Sequence, residues 1–202
     1  IVGCAGREKA WALDQIKDSK ERSSSSIGLN VALADNNASD IVKIAIKEKI
    51  KVFTMGGANT YLKLIAKYGK DVLIIPLVGS VIEAKIAERA GAKAVICEGQ
   101  ESGGSIGRLS LFSLLPQVVD AVKIPVIAAG GIADGRGMRA AFALGAEGIQ
   151  MGTRFLANKE CKIIDDYKSK IVGARDTDSL VISTRIKRPT RVIKNKFSLE
   201  YL

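Results

Sequence analysis

The chain has 202 residues, 47% apolar and 26% charged, with a net charge of +10 and a pI near 9.6. That length and balance suit a globular domain with a substantial core, and no apolar run approaches the roughly 20 residues a membrane-spanning helix needs. Lys and Arg are scattered over helical segments except in Arg185 to Lys196 (RIKRPTRVIKNK), and aromatics at 5% are too few to stack bases, so neither nucleic acid nor membrane is an expected partner.

In chain order, Val- and Ile-rich strands are expected at Ile1–Cys4, Ile27–Leu33, Val52–Met55, Val72–Val78, Ala94–Cys97, Val126–Ala129 and Gly148–Met151. They do not alternate apolar with polar residues, so they read as buried on both faces. Helical patterns lie between them at Glu8–Asp18, Ala38–Lys47, Asn59–Lys67, Val81–Ala90, Leu111–Val122 and Gly137–Leu144, with a weaker one at Tyr167–Val172. Ser23 to Ser26 reads as a loop. Repeated strand–helix units imply a parallel α/β fold. Five strands end in polar or glycine-rich loops, which favours a (β/α)8 TIM-type barrel over an open doubly wound sheet, whose loops would gather at one switch point. Seven strands is one short of that barrel, so the barrel is expected to be incomplete in these residues. The opening Ile1 stands inside a strand, and we read the sequence as part of a longer protein.

Cys4, Cys97 and Cys161 are widely spaced, match no zinc spacing, and read as free thiols of a reducing cytosol. The start, IVGCAGREK, has no signal-peptide pattern, so a cytoplasmic location is expected. No metal is expected.

The segment Ile124 to Phe155, IPVIAAGGIADGRGMRAAFALGAEGIQMGTRF, carries the first functional signal. One strand ends in Gly130-Gly131 and the next in Gly152-Thr153, with a helix stopped by Gly145 between them. Two adjacent parallel strands ending this way can aim several N–H groups at one anion, and the last strands of a barrel are a common seat for a cofactor phosphate. Upstream, Ala94 to Arg108 reads AVICEGQESGGSIGR, a strand running into a loop whose glycines let backbone approach a flat ligand. Asp134 and Glu147 flank the glycine unit without forming a hydrolytic carboxylate pair, and Cys97 reads as core.

EGxExGGxIG, followed by IPVIAAGGIADG and LGAEGIQMGTRF, resembles the FMN-dependent enoyl-acyl-carrier-protein reductases and the related nitronate monooxygenases (2-nitropropane dioxygenase-like proteins). The resemblance runs from IGLNVAL at Ile27 through VFTMGGANTYL and VLIIPLVGSV to KIVGARDTDS and RVIKNK. It implies a barrel holding FMN. Carried over by position, the flavin phosphate would lie on Gly130, Gly131, Gly152 and Thr153, with Gln150 and Met151 completing the second loop. Asn30, Glu98, Gly103 and Gly104 would be further flavin contacts.

This sequence departs from the family pattern at two places. The family's GGH loop has Ser105 in place of the histidine, and the chain contains no His. Ser105 is the catalytic candidate by position, although a hydroxyl without a partner is a poor base. The family's first strand, with its glycine–methionine loop, and its C-terminal helical region are absent from these residues. The implied division is a partial FMN-binding barrel at 1–160 and a C-terminal segment at 161–202 belonging to a lid or an incomplete second region.

The implied function is an FMN-dependent oxidoreductase. The first reading is reduction of trans-2-enoyl-acyl carrier protein in fatty acid synthesis with NADH or NADPH as reductant. The alternatives are nitronate oxidation and a flavin-binding barrel with little turnover because Ser105 replaces the histidine. The partners implied are an acyl-carrier thioester or a small nitronate, and a second copy of the chain is compatible with the resemblance.

Overall fold

The computed structural model describes residues 1–57, 61–184 and 189–201. The start of the helix expected from Asn59 and the Arg185 to Arg188 part of the basic run lie outside the described residues. The chain divides into two compact units, Ile1–Val78 with Ile82–Ile96 and Val122–Pro125, and Gly79–Val81 with Cys97–Ala121 and Val126–Leu202.

The first unit begins with β1 (Val2–Gly3), α1 (Lys9–Arg22), β2 (Gly28–Ala32) and α2 (Ala38–Lys47). It continues with β3 (Val52–Gly56), α3 (Tyr61–Tyr68), β4 (Leu73–Val78), α4 (Val81–Arg89) and the first half of β5 (Val95–Glu98). Neighbouring strands pair in parallel, as in Leu29 opposite Phe53 and Phe53 opposite Ile74. Phe53, Thr54 and Met55 are buried in succession, which two-sided covering of a parallel strand produces. Removing side chains as large as Phe53 and Met55 from water stabilises by about 1.5–3 kcal/mol each. Thr54, the polar member of that run, accepts a hydrogen bond from Asn30 Nδ2 at 2.9 Å. In α2, Ala38, Ile41, Val42 and Ala45 are buried, the i, i+3, i+4, i+7 spacing of one helix face. Helix α1 runs four residues past its expected end at Asp18, and an Arg22–Asp18 pair at 2.7 Å bridges that last turn.

The second unit holds the end of β5 and then β6 (Gly104–Ser105), α5 (Leu111–Ala121), β7 (Val126–Ala129), α6 (Gly135–Ala143) and β8 (Gly148–Gln150). After them come α7 (Thr153–Leu156), α8 (Asp165–Val172), β9 (Ser179–Ile182), β10 (Thr190–Ile193) and α9 (Lys196–Glu200). Helix α5 carries Pro116 inside it, which removes the hydrogen bond to the Phe112 carbonyl; Phe112 is exposed, so water can satisfy that oxygen. The order β1-β2-β3-β4-β5-β7-β8 never doubles back. That is the succession of staves in a (β/α) barrel, one strand short, and not the reversal of a doubly wound sheet. The expected elements are all present among the described residues, with ends displaced by up to four residues.

What periodicity did not reveal is a second sheet. Strands β6, β10 and β9 form a three-stranded antiparallel sheet in which the tail, which has no obvious core face in sequence, pairs with the glycine loop. Strand β6 is two residues long and lies in Gly-Gly-Ser, so no pattern marks it.

Candidate functional site

Strand β5 ends on Glu98, and the chain then folds into a tight loop. The Gly99 N–H donates to the Ala129 carbonyl at 2.9 Å, which ties the loop's first turn to the end of β7. Gln100 N–H donates to the Leu109 carbonyl at 2.8 Å and closes the loop on itself. Glu101 packs beside Gly99 and Gly131, and its carboxylate accepts from the Leu111 N–H at 3.0 Å. It therefore caps α5, where an anion satisfies an otherwise unpaired amide and suits the helix dipole.

Glu98 has a different environment. Burial pushes its pKa up to about 7, only partly opposed by a hydrogen bond from the Ser102 hydroxyl. A carboxyl in that range can hold or release a proton near neutrality. Cys97, one residue earlier, is fully buried, and burial with the Glu98 charge drives its thiol up to about 12. It is a protonated core residue, as is Cys4 at about 11.

The two glycine-ended strands lie side by side. β7 and β8 pair in parallel with Ala129 opposite Gln150, so Gly130-Gly131 and Met151-Gly152 leave adjacent strand ends. Gly130 and Gly131 have φ of +112° and +66°, the left-handed region that side chains with a Cβ avoid. A Cβ on Gly130 would sit 3.2 Å from both the Gly99 carbonyl oxygen and Ser102 Oγ. Gly103 packs against Thr153 in the same way, its Cβ position lying 3.2 Å from Thr153 Oγ1. By contrast, the Cβ positions of Gly104 and Gly152 meet nothing within 4 Å. Gly130 and Gly103 are thus packed tightly against their neighbours, while a Cβ at Gly104 or Gly152 would find open space. Asp134 caps α6 by accepting from Arg136 and Gly137 N–H groups and holds the Arg136 side chain at 2.6 Å. These hydrogen bonds keep its carboxyl down at about 2. The start of α6 already carries an anion, so a ligand anion here would use the loop amides.

Ser105 is exposed and pairs with Thr190 across β6 and β10. Ile106 N–H donates to the Pro189 carbonyl at 3.1 Å, so by alternation Ser105 and Thr190 are the closely spaced, non-hydrogen-bonded pair. Among the described residues the Ser105 hydroxyl has no hydrogen-bond partner and no base beside it.

The second unit thus brings together nine of the expected residues, namely Glu98, Gly103, Gly104, Ser105, Gly130, Gly131, Gln150, Met151 and Gly152, and a tenth, Thr153. Asn30 belongs to the first unit, where it donates to Thr54. Two residues of the site escaped sequence reasoning. Ser102 is a buried polar residue between Glu98 and Gly130, hidden in a loop rich in Ser and Gly. Arg191 reaches the same loop from the tail and donates to the Gln100 carbonyl at 3.1 Å.

Residues 7–201 match the family model described as nitronate monooxygenase. A dehydrogenase of Rhodococcus jostii, named for (3aS,4S,5R,7aS)-5-hydroxy-7a-methyl-1-oxo-octahydro-1H-indene-4-carboxyl-CoA, is 39% identical over 86% of this chain and 50% of its own length. A probable nitronate monooxygenase of Staphylococcus aureus is 38% identical over 75% of this chain and 46% of its own. Among solved structures, FabK from Thermotoga maritima superposes with a TM-score of 0.93 at 43% identity, over 98% of this chain and 63% of that one. The chain spans about half the length of the curated relatives it matches. With a family match over nearly all of its residues, this chain belongs to the nitronate monooxygenase family.

Proposed function

We propose that the protein is an FMN-dependent oxidoreductase and that the strand ends at Gly130-Gly131 and Gly152-Thr153 seat the flavin phosphate. The observation carrying this is the joining, in one unit, of two adjacent glycine strand ends with a half-buried carboxyl near neutrality at Glu98. The residues suit the group. Left-handed glycines shape the first of these strand ends, the Cβ-free space at Gly104 and Gly152 leaves room for it, and Gln150, Met151 and Gly103 line the same loops. Bound there, FMN would supply two-electron chemistry between NADH or NADPH and a substrate.

The reaction we favour is reduction of a trans-2-enoyl thioester on acyl carrier protein. Its support is the enoyl-reductase character of IAAGGIADG and LGAEGIQMGTRF, together with a relative whose named substrate is a CoA thioester. In this reading Ser105 donates a hydrogen bond to the thioester carbonyl, and Glu98 holds the exchangeable proton that a site without His must take from elsewhere. Nitronate oxidation is the second reading, favoured by the family match and the Staphylococcus relative's name. A third, flavin binding with little turnover, is favoured by the unpartnered Ser105 hydroxyl.

The purified full-length protein should be yellow, with flavin bands in its visible spectrum. NAD(P)H oxidation with crotonyl thioester, followed by oxygen uptake with propionate-3-nitronate, separates the reactions. Activity only in the second assay would sink the enoyl reading, and a colourless protein that takes up no FMN would sink all three. If the protein is yellow but inert, Ser105→His should restore measurable turnover; an unchanged rate counts against a lost catalytic group.

A further inference from the structure

The basic tail contributes a residue to the site's geometry, although it lies far away in sequence. Arg191 stands on β10 opposite Gly104 of β6. Its Nε donates to the Gln100 carbonyl at 3.1 Å, and its Nη1 donates to Ser179 Oγ on β9 at 3.0 Å. One guanidinium therefore ties together both strands of the tail hairpin and the loop between Glu98 and Ser105. The planar fork serves two acceptors in fixed directions, which the single ammonium of lysine does not reproduce. The Ile106 N–H to Pro189 carbonyl bond secures the far end of the same loop. Between those two anchors lie Glu101, held on the Leu111 N–H, and then Ser102, Gly103, Gly104 and Ser105, with open space over Gly104. Other ties in that stretch are the Glu101 carboxylate on the Leu111 N–H, the Ser102 hydroxyl on Glu98, the Ser102 N–H on the Gly99 carbonyl and the pairing of β6 with β10, and the guanidinium adds the link that joins the Gln100 carbonyl to both strands of the hairpin.

We propose that Arg191 is a positioning residue that holds the 98–106 loop in its ligand-ready conformation through the Gln100 carbonyl. The consequence for binding rests on the flavin reading above; the strap itself does not. Losing a hydrogen bond to a charged donor at this anchor corresponds to about a tenfold weakening of any ligand that needs the loop ordered.

The test uses the full-length protein as wild type, Arg191→Ala, Arg191→Lys and Ser179→Ala. Hydrogen exchange of peptides covering 99–106, measured without flavin, should quicken in Arg191→Ala while peptides of β3, β7 and β8 keep wild-type protection. FMN affinity should fall about tenfold, with altered visible circular dichroism of the bound flavin. Arg191→Lys should recover folding but not affinity. Ser179→Ala, which leaves the Gln100 bond in place, should fall between wild type and Arg191→Ala. If Arg191→Ala does not fold, the lysine variant carries the same two readouts. Wild-type exchange at 99–106 in the arginine variants would overturn the strap whatever the flavin does. Faster exchange with unchanged affinity and dichroism would overturn the positioning role and leave a merely structural bond. Faster exchange in a protein whose wild type binds no FMN would overturn the flavin reading alone.

Discussion

Gly130→Ala is expected to destabilise the protein by about 2–4 kcal/mol, and so to lower its melting temperature by roughly 5–10 °C. Two effects add. The residue has φ of +112°, which an L side chain rarely adopts, and its new Cβ would press at 3.2 Å on the Gly99 carbonyl oxygen and at 3.3 Å on the Gly99 nitrogen. Those are backbone atoms, and the Gly99 N–H is already committed to the Ala129 carbonyl, so the contact cannot be relieved by a rotamer change. Ser102 Oγ, also at 3.2 Å, would have to move away, which disturbs its hydrogen bond to Glu98. Gly152→Ala is the informative companion. Its φ of −105° is ordinary and its Cβ would meet nothing within 4 Å, so folding should be unchanged while the methyl intrudes on the space assigned to the flavin phosphate. Thermal melts and FMN titrations of the two variants should therefore separate: both weaken FMN, but only Gly130→Ala melts early. Wild-type FMN affinity in Gly152→Ala would remove that residue from the site.

The second large effect is a pH dependence of stability that disappears in Glu98→Gln. The pKa of Glu98 rises from 4.5 to about 7 on folding, mainly because burial penalises the charged form. A carboxyl raised in the folded state holds its proton longer than the unfolded chain does. Its contribution to stability is therefore complete below pH 4.5 and is lost as pH rises through about 7. The difference between those two values, at 1.36 kcal/mol per unit, is on the order of 3 kcal/mol. Urea denaturation of wild type minus Glu98→Gln should show that slope between the two pKa values and a plateau above. The glutamine keeps an acceptor for Ser102 and never ionises, so the variant should be the more stable protein at pH 8. A flat difference profile would show that Glu98 ionises normally. If Glu98 also supplies the working proton, the pH–rate profile should lose its limb near pH 7 in the same variant.

Much of the architecture was legible in local patterns. Helix α2 and strand β7 run over their expected residues, because i, i+3, i+4 burial and an apolar run bounded by Pro125 and Gly130 are short-range signals. The glycine pairs were legible too, since Gly130 and Gly131 occupy backbone conformations that other residues avoid. The β6-β10-β9 sheet was not. Two-residue β6 has no periodicity, and β10 carries Arg191 and Val192 in a basic run with no obvious core face, read as part of a lid or an incomplete second region. Glu98 and Glu101 are alike in sequence and three residues apart, yet one is a half-buried carboxyl near neutrality at the end of β5 and the other caps a helix.

By itself, then, the sequence determined the succession of strands and helices, the glycine strand ends, and the family resemblance, all of which rest on which residues neighbour one another along the chain. The tertiary structure decided how each polar group is used. Burial set the protonation of Glu98, a turn brought Glu101 onto the first amide of α5, and a hairpin brought Arg191 to a carbonyl 91 positions away. Desolvation and hydrogen-bond reach are properties of position in space, and chain order does not encode them until the strands are packed.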